Sequence, residues 1–315
     1  MEFHHLVARF IHPAIEMPTI TPHPRVMSQR RRATSLALAV LLIGSVGCSS
    51  IPPKAPMRPH ARIGHSLALR VGTYNIFVGA RNLEQTAKVI RRMDADIVAL
   101  QEVVPRSAAF LDTKFSGGYR YRYFAGGLGL MSRFPMRHPH FERSRRGING
   151  FIFADIDHPQ GRIQLVNLHL DPLRIWTIPD ILTLPSQLWW QKRAIQRTEV
   201  DQVLVNLRPN RPTILLGDFN RVNDGAINRL GQFGFIDSFA EVTPKADRTP
   251  TLNFSIFGIR SGRRIDFIFH NKAFDTCESE VLVGRPSDHD AILGILCWQG
   301  PKTHKRGQPG KRKDN

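Results

Sequence analysis

Acidic residues are scarce in this 315-residue chain: 26 Asp and Glu stand against 44 Lys and Arg, a formal net charge of +18. Such a surface favours polyanions (nucleic acid, lipopolysaccharide, anionic lipid) without choosing among them. Cysteine is also rare. Only Cys48, Cys277 and Cys297 occur, and their spacing excludes a zinc site of the usual kind. Long apolar runs are missing as well. The run from about Leu36 to Val46 falls short of the roughly 20 residues a membrane-spanning helix needs. No internal repeat is evident, and 42% hydrophobic with 22% charged residues excludes a disordered chain.

What surrounds that short apolar run has its own meaning. Arg30, Arg31 and Arg32 precede it, and small residues and Cys48 follow, the layout of a secretory signal. "SVGC" resembles the lipobox of bacterial lipoproteins, with Ser45 where Leu is usual. The resemblance implies lipidation at Cys48 and a place in the bacterial cell envelope. Ser49 points to the outer membrane, facing periplasm or exterior. Residues 1–26 read as an upstream extension before a start at Met27, 27–48 as the signal, and 49–65 as a Pro-rich basic tether. Residues 66–299 form the domain and 300–315 a basic tail holding six Lys/Arg against one Asp. In an oxidising compartment Cys277 and Cys297 can pair, or Cys297 is simply a buried apolar residue of "AILGILCW".

Within the domain, short β-rich runs alternate with helical spacing. "LALRVGTYNI", "DIVALQEV", "GLGLMSRFP", "GFIFADID", "IQLVNLHLDP", "PTILLGDFN", "RIDFIFH" and "AILGILCW" read as strands. "NLEQTAKVIRRM" and "QKRAIQRTEVDQVLVNL" read as helices. The mixture implies packed sheets with helices outside. Asn75, Glu102, His169, Asp218, Asn220 and Asp266 each lie in or just past such a strand, the place where binding sites collect. "ILLGDFN" sets Asp218 and Asn220 two positions apart, on one face if the chain is extended. Glu102 at the end of a buried strand needs a cation or a donor to offset its desolvation. Asp266 in an apolar strand needs a donor too, and His289 of "SDHD" supplies one; Asp290 reads as a structural or surface acid.

The ordered set "TYNI", "DIVALQEV", "LMSRFP", "NLHLDP", "LLGDFN", "RIDFIF" and "SDHD" resembles the endonuclease/exonuclease/phosphatase superfamily, which includes deoxyribonucleases, sphingomyelinases and inositol polyphosphate phosphatases. The likeness covers about residues 69–298. It implies an α/β fold, a four-layer sandwich of two packed β-sheets flanked by helices. It implies Mg²⁺, with Mn²⁺ as the alternative ion, held chiefly by Glu102 with Asn75, and with Asp288 as a further acid. Asp218 is matched to the carboxylate that positions or deprotonates water, Asn220 to the amide that steadies the phosphoryl group, and Asp266 with His289 to the Asp–His pair near the scissile phosphate. His169 matches a histidine of the deoxyribonuclease and sphingomyelinase branches. The acid that pairs with that histidine in pancreatic deoxyribonuclease is absent, since "SGGYRYRYFAGGLGLMSRF" holds none, so the partner of His169 is open.

The expected activity is metal-dependent phosphoester hydrolysis, with nucleic acid as the favoured substrate and phospholipid or inositol phosphate as alternatives. The rival from another class is a catalytically idle, membrane-tethered binding module, but none of the matched positions is lost. The expected partners are the phosphoester substrate and, through the lipid anchor, a membrane; no feature calls for a protein partner. The Trp-rich segment "RIWTIPDILTLPSQLWW" either lines a substrate groove or lipid contact, or packs on the core.

Overall fold

The computed structural model describes residues 68–172, 186–220, 225–256, 259–283 and 286–299. The signal segment, Cys48, the tether and the basic tail lie outside the described residues, as does the Trp-rich segment up to 185. In chain order the elements are β1 (Ala68–Asn75), α1 (Leu83–Met93), β2 (Ile97–Gln101), α2 (Pro105–Lys114), β3 (Tyr121–Ala125), β4 (Leu128–Ser132), β5 (Met136–Arg143), β6 (Gly150–His158) and β7 (Gly161–His169). They continue with α3 (Ser186–Asn206), β8 (Thr213–Asp218), α4 (Gly225–Gln232), β9 (Ile236–Asp237), α5 (Ser238–Val242), β10 (Leu252–Ile256), β11 (Ile259–Arg263), β12 (Asp266–His270), β13 (Phe274–Leu282) and β14 (Ala291–Trp298).

Two six-stranded sheets carry the fold, in the orders β13-β14-β1-β2-β4-β3 and β5-β6-β7-β8-β12-β9, with β10-β11 as a separate hairpin. Each large sheet has one parallel pair at its centre, β1 with β2 and β7 with β8, and antiparallel strands around it. A parallel pair needs a crossover, and in each half a helix lies in that connection: α1 in the first and α3 in the second. Helix α1 is amphipathic, burying Leu83, Ala87, Ile90 and Met93, and Asn82 caps it by accepting from the Gln85 amide at 3.1 Å.

Strand parity sorts the side chains. Leu69 and Val71 of β1, Ile97 and Ala99 of β2, Ile163 and Leu165 of β7, Ile214 and Leu216 of β8, and Ile268 of β12 form one core between the two sheets. The alternate residues face outward: Val98 and Leu100 pack with α1, and Leu215, Phe267 and Phe269 pack with Val200 and Val203 of α3. Burying each such aliphatic side chain contributes about 1.5–3 kcal/mol. Two sheets with helices on both outer faces make the four layers expected.

The same parity positions polar groups. Counting on from the inner apolar residues, the next inward positions are Thr73 and Asn75 on β1, Gln101 on β2, Asn167 and His169 on β7, Asp218 on β8, and Asp266 on β12. All are buried. Two further details follow from the topology. "RIDFIFH" and "AILGILCW" fall in different sheets, because β13 intervenes and pairs with β14. Cys277 and Cys297 are joined by a disulfide with Cα atoms 5.8 Å apart. Cys277 sits at the register shift between Thr276 and Glu278, and a bulge of this kind turns its side chain toward the neighbouring strand.

Candidate active site

Across the second sheet the register places His169 opposite Asp218, and Asp218 opposite Asp266. In the first sheet Asn75 stands opposite Gln101. Facing each other between the sheets, these two rows converge. Asn75 Nδ2 donates to Asp218 Oδ2 at 2.9 Å and to Glu102 Oε1 at 3.1 Å, so one amide holds two carboxylates from opposite sheets.

His289 completes the cluster from the loop before β14. Its Nδ1 lies 2.9 Å from Asp266 Oδ2, and its Nε2 lies 3.9 Å from Asp218 Oδ2. Burial opposes a charge on this ring, but the Asp266 and Asp218 carboxylates and the Asp266 hydrogen bond outweigh it, holding the imidazole protonated up to about 10. Burial also pushes the Asp266 carboxyl up. Asp266 and His289 therefore titrate as a pair, the carboxylate favouring a charged ring. The partner of His169, open from sequence, is the same Asp218: His169 Nε2 stands 3.5 Å from its Oδ2.

Two of the expected placements change. The strand ends at Asp218, and Asn220 adopts a left-handed φ of 44°, so the two side chains do not share an extended face. Instead the Asn220 amide N–H donates to Asp218 Oδ1 at 2.8 Å, and its Nδ2 donates to the Leu170 carbonyl at 3.0 Å. Glu102 lies one residue past β2 at φ 58° and is only half-buried, at the rim of the cleft, where its Oε2 accepts from the Val78 amide at 2.7 Å. Phe77, at φ 64°, is a third left-handed residue on this edge. Non-glycine residues in that region cost energy and cluster at functional sites.

Asp288 is exposed, its Oδ1 3.4 Å from Ser287 Oγ, and it makes no hydrogen bond to Asn75 or Glu102. Of the two readings of Asp290 the structural one holds: it is buried and accepts from Asn253 Nδ2 at 2.9 Å.

Several residues with no signal of their own in the sequence position the cluster. Ser287 Oγ donates to the Asn75 carbonyl at 2.7 Å and accepts from the His289 amide at 3.0 Å, tying "SDHD" to the end of β1. Thr251 Oγ1 accepts from the amides of Ile265 and Asp266, both at 3.0 Å. Gln196 of α3 donates through Nε2 to the carbonyls of Asp171 at 2.9 Å and Asn220 at 2.7 Å, joining the ends of β7 and β8. Beneath the cluster, Gln101 Nε2 donates to Asn167 Oδ1 at 2.8 Å, and Asn167 Nδ2 donates to the carbonyls of Leu100 and Gly129. This polar tier links the sheets between the site and the apolar core. Behind His169, Asp171 pairs with Lys192 and its amide donates to Glu199 Oε2 at 2.9 Å. Burial pushes Glu199 up to about 7, against the Asp171 amide and the Ser144 hydroxyl, which favour its charge.

The donor set suits a hard cation. Glu102 and Asp218 offer carboxylate oxygens, drawn around the Asn75 Nδ2 while Asn75 Oδ1 accepts from the Phe77 N–H at 3.0 Å, and ions such as Mg²⁺ prefer oxygen ligands. Asp218, Asp266 and His289 also bring ligand atoms within 4.8 Å of one another. There the imidazole Nδ1 is already engaged by Asp266, and its Nε2 faces Asp218. A separate cavity of about 530 Å³ opens beside His158, Arg162 and Arg211, at the opposite strand ends, and contains none of these groups.

A buried carboxylate–imidazole pair thus stands at the strand ends between the two sheets. The chain belongs to the Endonuclease/Exonuclease/phosphatase family, whose profile matches residues 72–289. It is a hydrolase of phosphoester bonds, and that family generally uses a divalent metal. Solved structures share the fold. One is an endonuclease/exonuclease/phosphatase from Beutenbergia cavernae, 20% identical, TM-score 0.58, covering 74% of this chain and 72% of that one. Another is D. rerio TDP2 complexed with single-strand DNA product, 18% identical, TM-score 0.59, covering 73% and 98%. A third is a family protein from Bacteroides thetaiotaomicron, 18% identical, TM-score 0.56, covering 74% and 98%. No curated protein matches at the level of sequence.

Proposed function

We propose that this enzyme is a Mg²⁺-dependent phosphodiesterase acting on nucleic acid outside the cytoplasm, anchored through Cys48. The observation that carries the catalytic reading is the convergence of Asp218, His289 and Asp266 with Asn75 and Glu102 across the two sheets. Glu102 and Asn75, with Asp218 beside them and Asp288 at the rim, would hold the ion. When bound, the ion neutralises charge on phosphoryl oxygens. Asp218, fixed through both oxygens by the Asn75 side chain and the Asn220 amide, is placed to take a proton from water. His289, kept cationic and oriented by Asp266, stabilises negative charge on the phosphoryl group. His169 shares the Asp218 carboxylate and lies on the same row.

Nucleic acid is supported by the net charge of +18 and by the fold shared with a DNA-bound TDP2. Export is supported by the signal-type segment and by the Cys277–Cys297 bond, since disulfides persist in oxidising compartments. Among the described residues no helix is long and apolar enough to cross a membrane.

The test is hydrolysis of bis(p-nitrophenyl) phosphate, an oligonucleotide, sphingomyelin and an inositol phosphate by the full chain, with Mg²⁺ and with EDTA. The expected result is EDTA-sensitive cleavage of the first two, lowered about 10²–10⁴-fold in His289→Ala. Cleavage of sphingomyelin alone moves the substrate to the lipid reading, and equal rates in wild type and variant overturn the mechanism. Mass spectrometry of the mature amino terminus checks Cys48: an unmodified chain retaining Leu36 rules out the anchor.

A further inference from the structure

We propose that the end of the sandwich opposite the catalytic cluster is a docking face for an anionic membrane, with the cavity beside His158, Arg162 and Arg211 receiving a lipid head-group phosphate. The inference builds on the reading of an envelope protein attached at Cys48, and its test is made on a chain that cannot be lipidated.

Register fixes which groups share this end. β1, β2, β7 and β8 begin here, because their other ends carry Asn75, Gln101, His169 and Asp218. β4, β6, β12 and β14 run antiparallel to them and finish here. Thr213 and Asp218 bound the six residues of β8, so the face and the cluster lie about 17 Å apart. The first and last strands of the domain meet on this face. Ala68 pairs with Cys297, and the Gln299 amide donates to the Ala273 carbonyl at 2.8 Å. An attachment that enters at β1 brings this end to the bilayer first and leaves the catalytic end toward solution.

The charge of the face is positive because its acids are spent. Asp157 is shared by Arg137 and by Arg162, whose Nε lies at 2.7 Å, and Asp155 pairs with Arg208 at 2.8 Å. Arg133 takes Asp94 at 2.7 Å and Asp96 at 3.2 Å. The exposed Asp275 alternates with the core residue Phe274 and so lies on the outer side of its sheet. Arg211 and Lys272 have no ion pair among the described residues. Their backbones are clamped together: the Arg211 carbonyl accepts from Asn271 Nδ2 at 2.7 Å and from Thr213 Oγ1 at 2.9 Å, and the Thr213 amide donates to Asn271 Oδ1 at 3.2 Å.

His158 stacks on Trp298 at 5.8 Å between ring centres and meets Phe134 edge-on at 4.8 Å. Its Nδ1 accepts from the Gln160 amide at 3.3 Å, which leaves the proton of the neutral ring on Nε2. A cavity of about 530 Å³ bordered by two guanidinium groups and this ring has the size and polarity for one phosphate ester. Tyr121, exposed at the start of β3 on the same end, adds an amphipathic ring of the kind that favours a membrane interface. Residues 300–315, next in sequence after β14, carry six Lys/Arg against one Asp, and such segments are drawn to anionic leaflets.

The test uses the full chain carrying Cys48→Ser, floated with phosphatidylglycerol or phosphatidylcholine vesicles, and reads the ratio of the two partition coefficients. Arg211→Glu/Lys272→Glu should lower that ratio at least tenfold. Arg145→Glu/Arg146→Glu, an equal charge change at the catalytic end, should lower it less than threefold. Melting temperature and bis(p-nitrophenyl) phosphate hydrolysis should stay unchanged in Arg211→Glu/Lys272→Glu, which separates lost docking from unfolding. No phosphatidylglycerol preference in the parent chain, equal losses in the two variants, or a larger loss at the catalytic end overturns the proposal. So does an equal loss of single-stranded oligonucleotide binding in EDTA, which assigns the face to nucleic acid. Saturable binding of glycerol 3-phosphate without vesicle preference also overturns it, by assigning the cavity to a free phosphate ester. Lipidation is read separately from the mass of the mature amino terminus, so an unmodified Cys48 removes the anchor and leaves the docking result standing.

Discussion

Gly217 stands directly before Asp218, at φ 147°, and a Cβ there would lie 1.9 Å from the Leu168 carbonyl on β7. A backbone oxygen cannot move aside as a side-chain tip can. Gly217→Ala should therefore separate β7 from β8, cost about 3 kcal/mol and displace Asp218 from Asn75; thermal unfolding and ester hydrolysis both read it. Glu199 gives a pH prediction of unusual sign. Its carboxyl is raised by burial, so the ionised form burdens the fold. That burden is absent below about pH 4.5, grows as pH rises to about 7 and is then constant, on the order of 3 kcal/mol. Glu199→Gln removes it. The stability difference, variant minus wild type, should rise between those pH values and level off, as followed by melting temperature against pH; a flat difference would show that Glu199 ionises freely.

At the level of elements, Gln196 matters because one side chain on α3 fastens two strand ends that carry His169 and Asp218. Gln196→Met keeps the volume and loses the clamp. It should lower kcat about 10-fold or more, with KM for a small ester nearly unchanged and melting little affected, which separates positioning from simple destabilisation. The bond between β13 and β14 closes a 20-residue separation, and Cys277→Ser/Cys297→Ser should cost about 3 kcal/mol, read by denaturant unfolding with and without reductant. How much of this was legible follows element type. Strands sealed on both faces, such as β2 and β8, announce themselves as apolar runs, and α1 by its spacing. The edge strands do not. β5 reads "MRHPHFER", half of it exposed and none of it fully buried, with a proline, and β13 is interrupted at Cys277, so neither keeps an alternation. Asp218 and Asp266 were visible as polar residues in apolar company, and His289 within the polar motif "SDHD". Ser287, Thr251 and Gln196 were not, because their work is done through backbone groups whose positions only the fold supplies.

For the molecule as a whole, the site belongs to neither sheet alone. Asn75 and Glu102 come from one and His169, Asp218 and Asp266 from the other, and the Gln101–Asn167 tier fastens the two just below. The first sheet, moreover, is assembled from the two ends of the domain: β1 is flanked by β2 on one side and by β14 on the other, and His289 comes just before β14. On the function proposed above, a chain that has not yet made β14 lacks the His289 imidazole and leaves β1 with an open edge, so the site is complete only when the last of the described strands has paired.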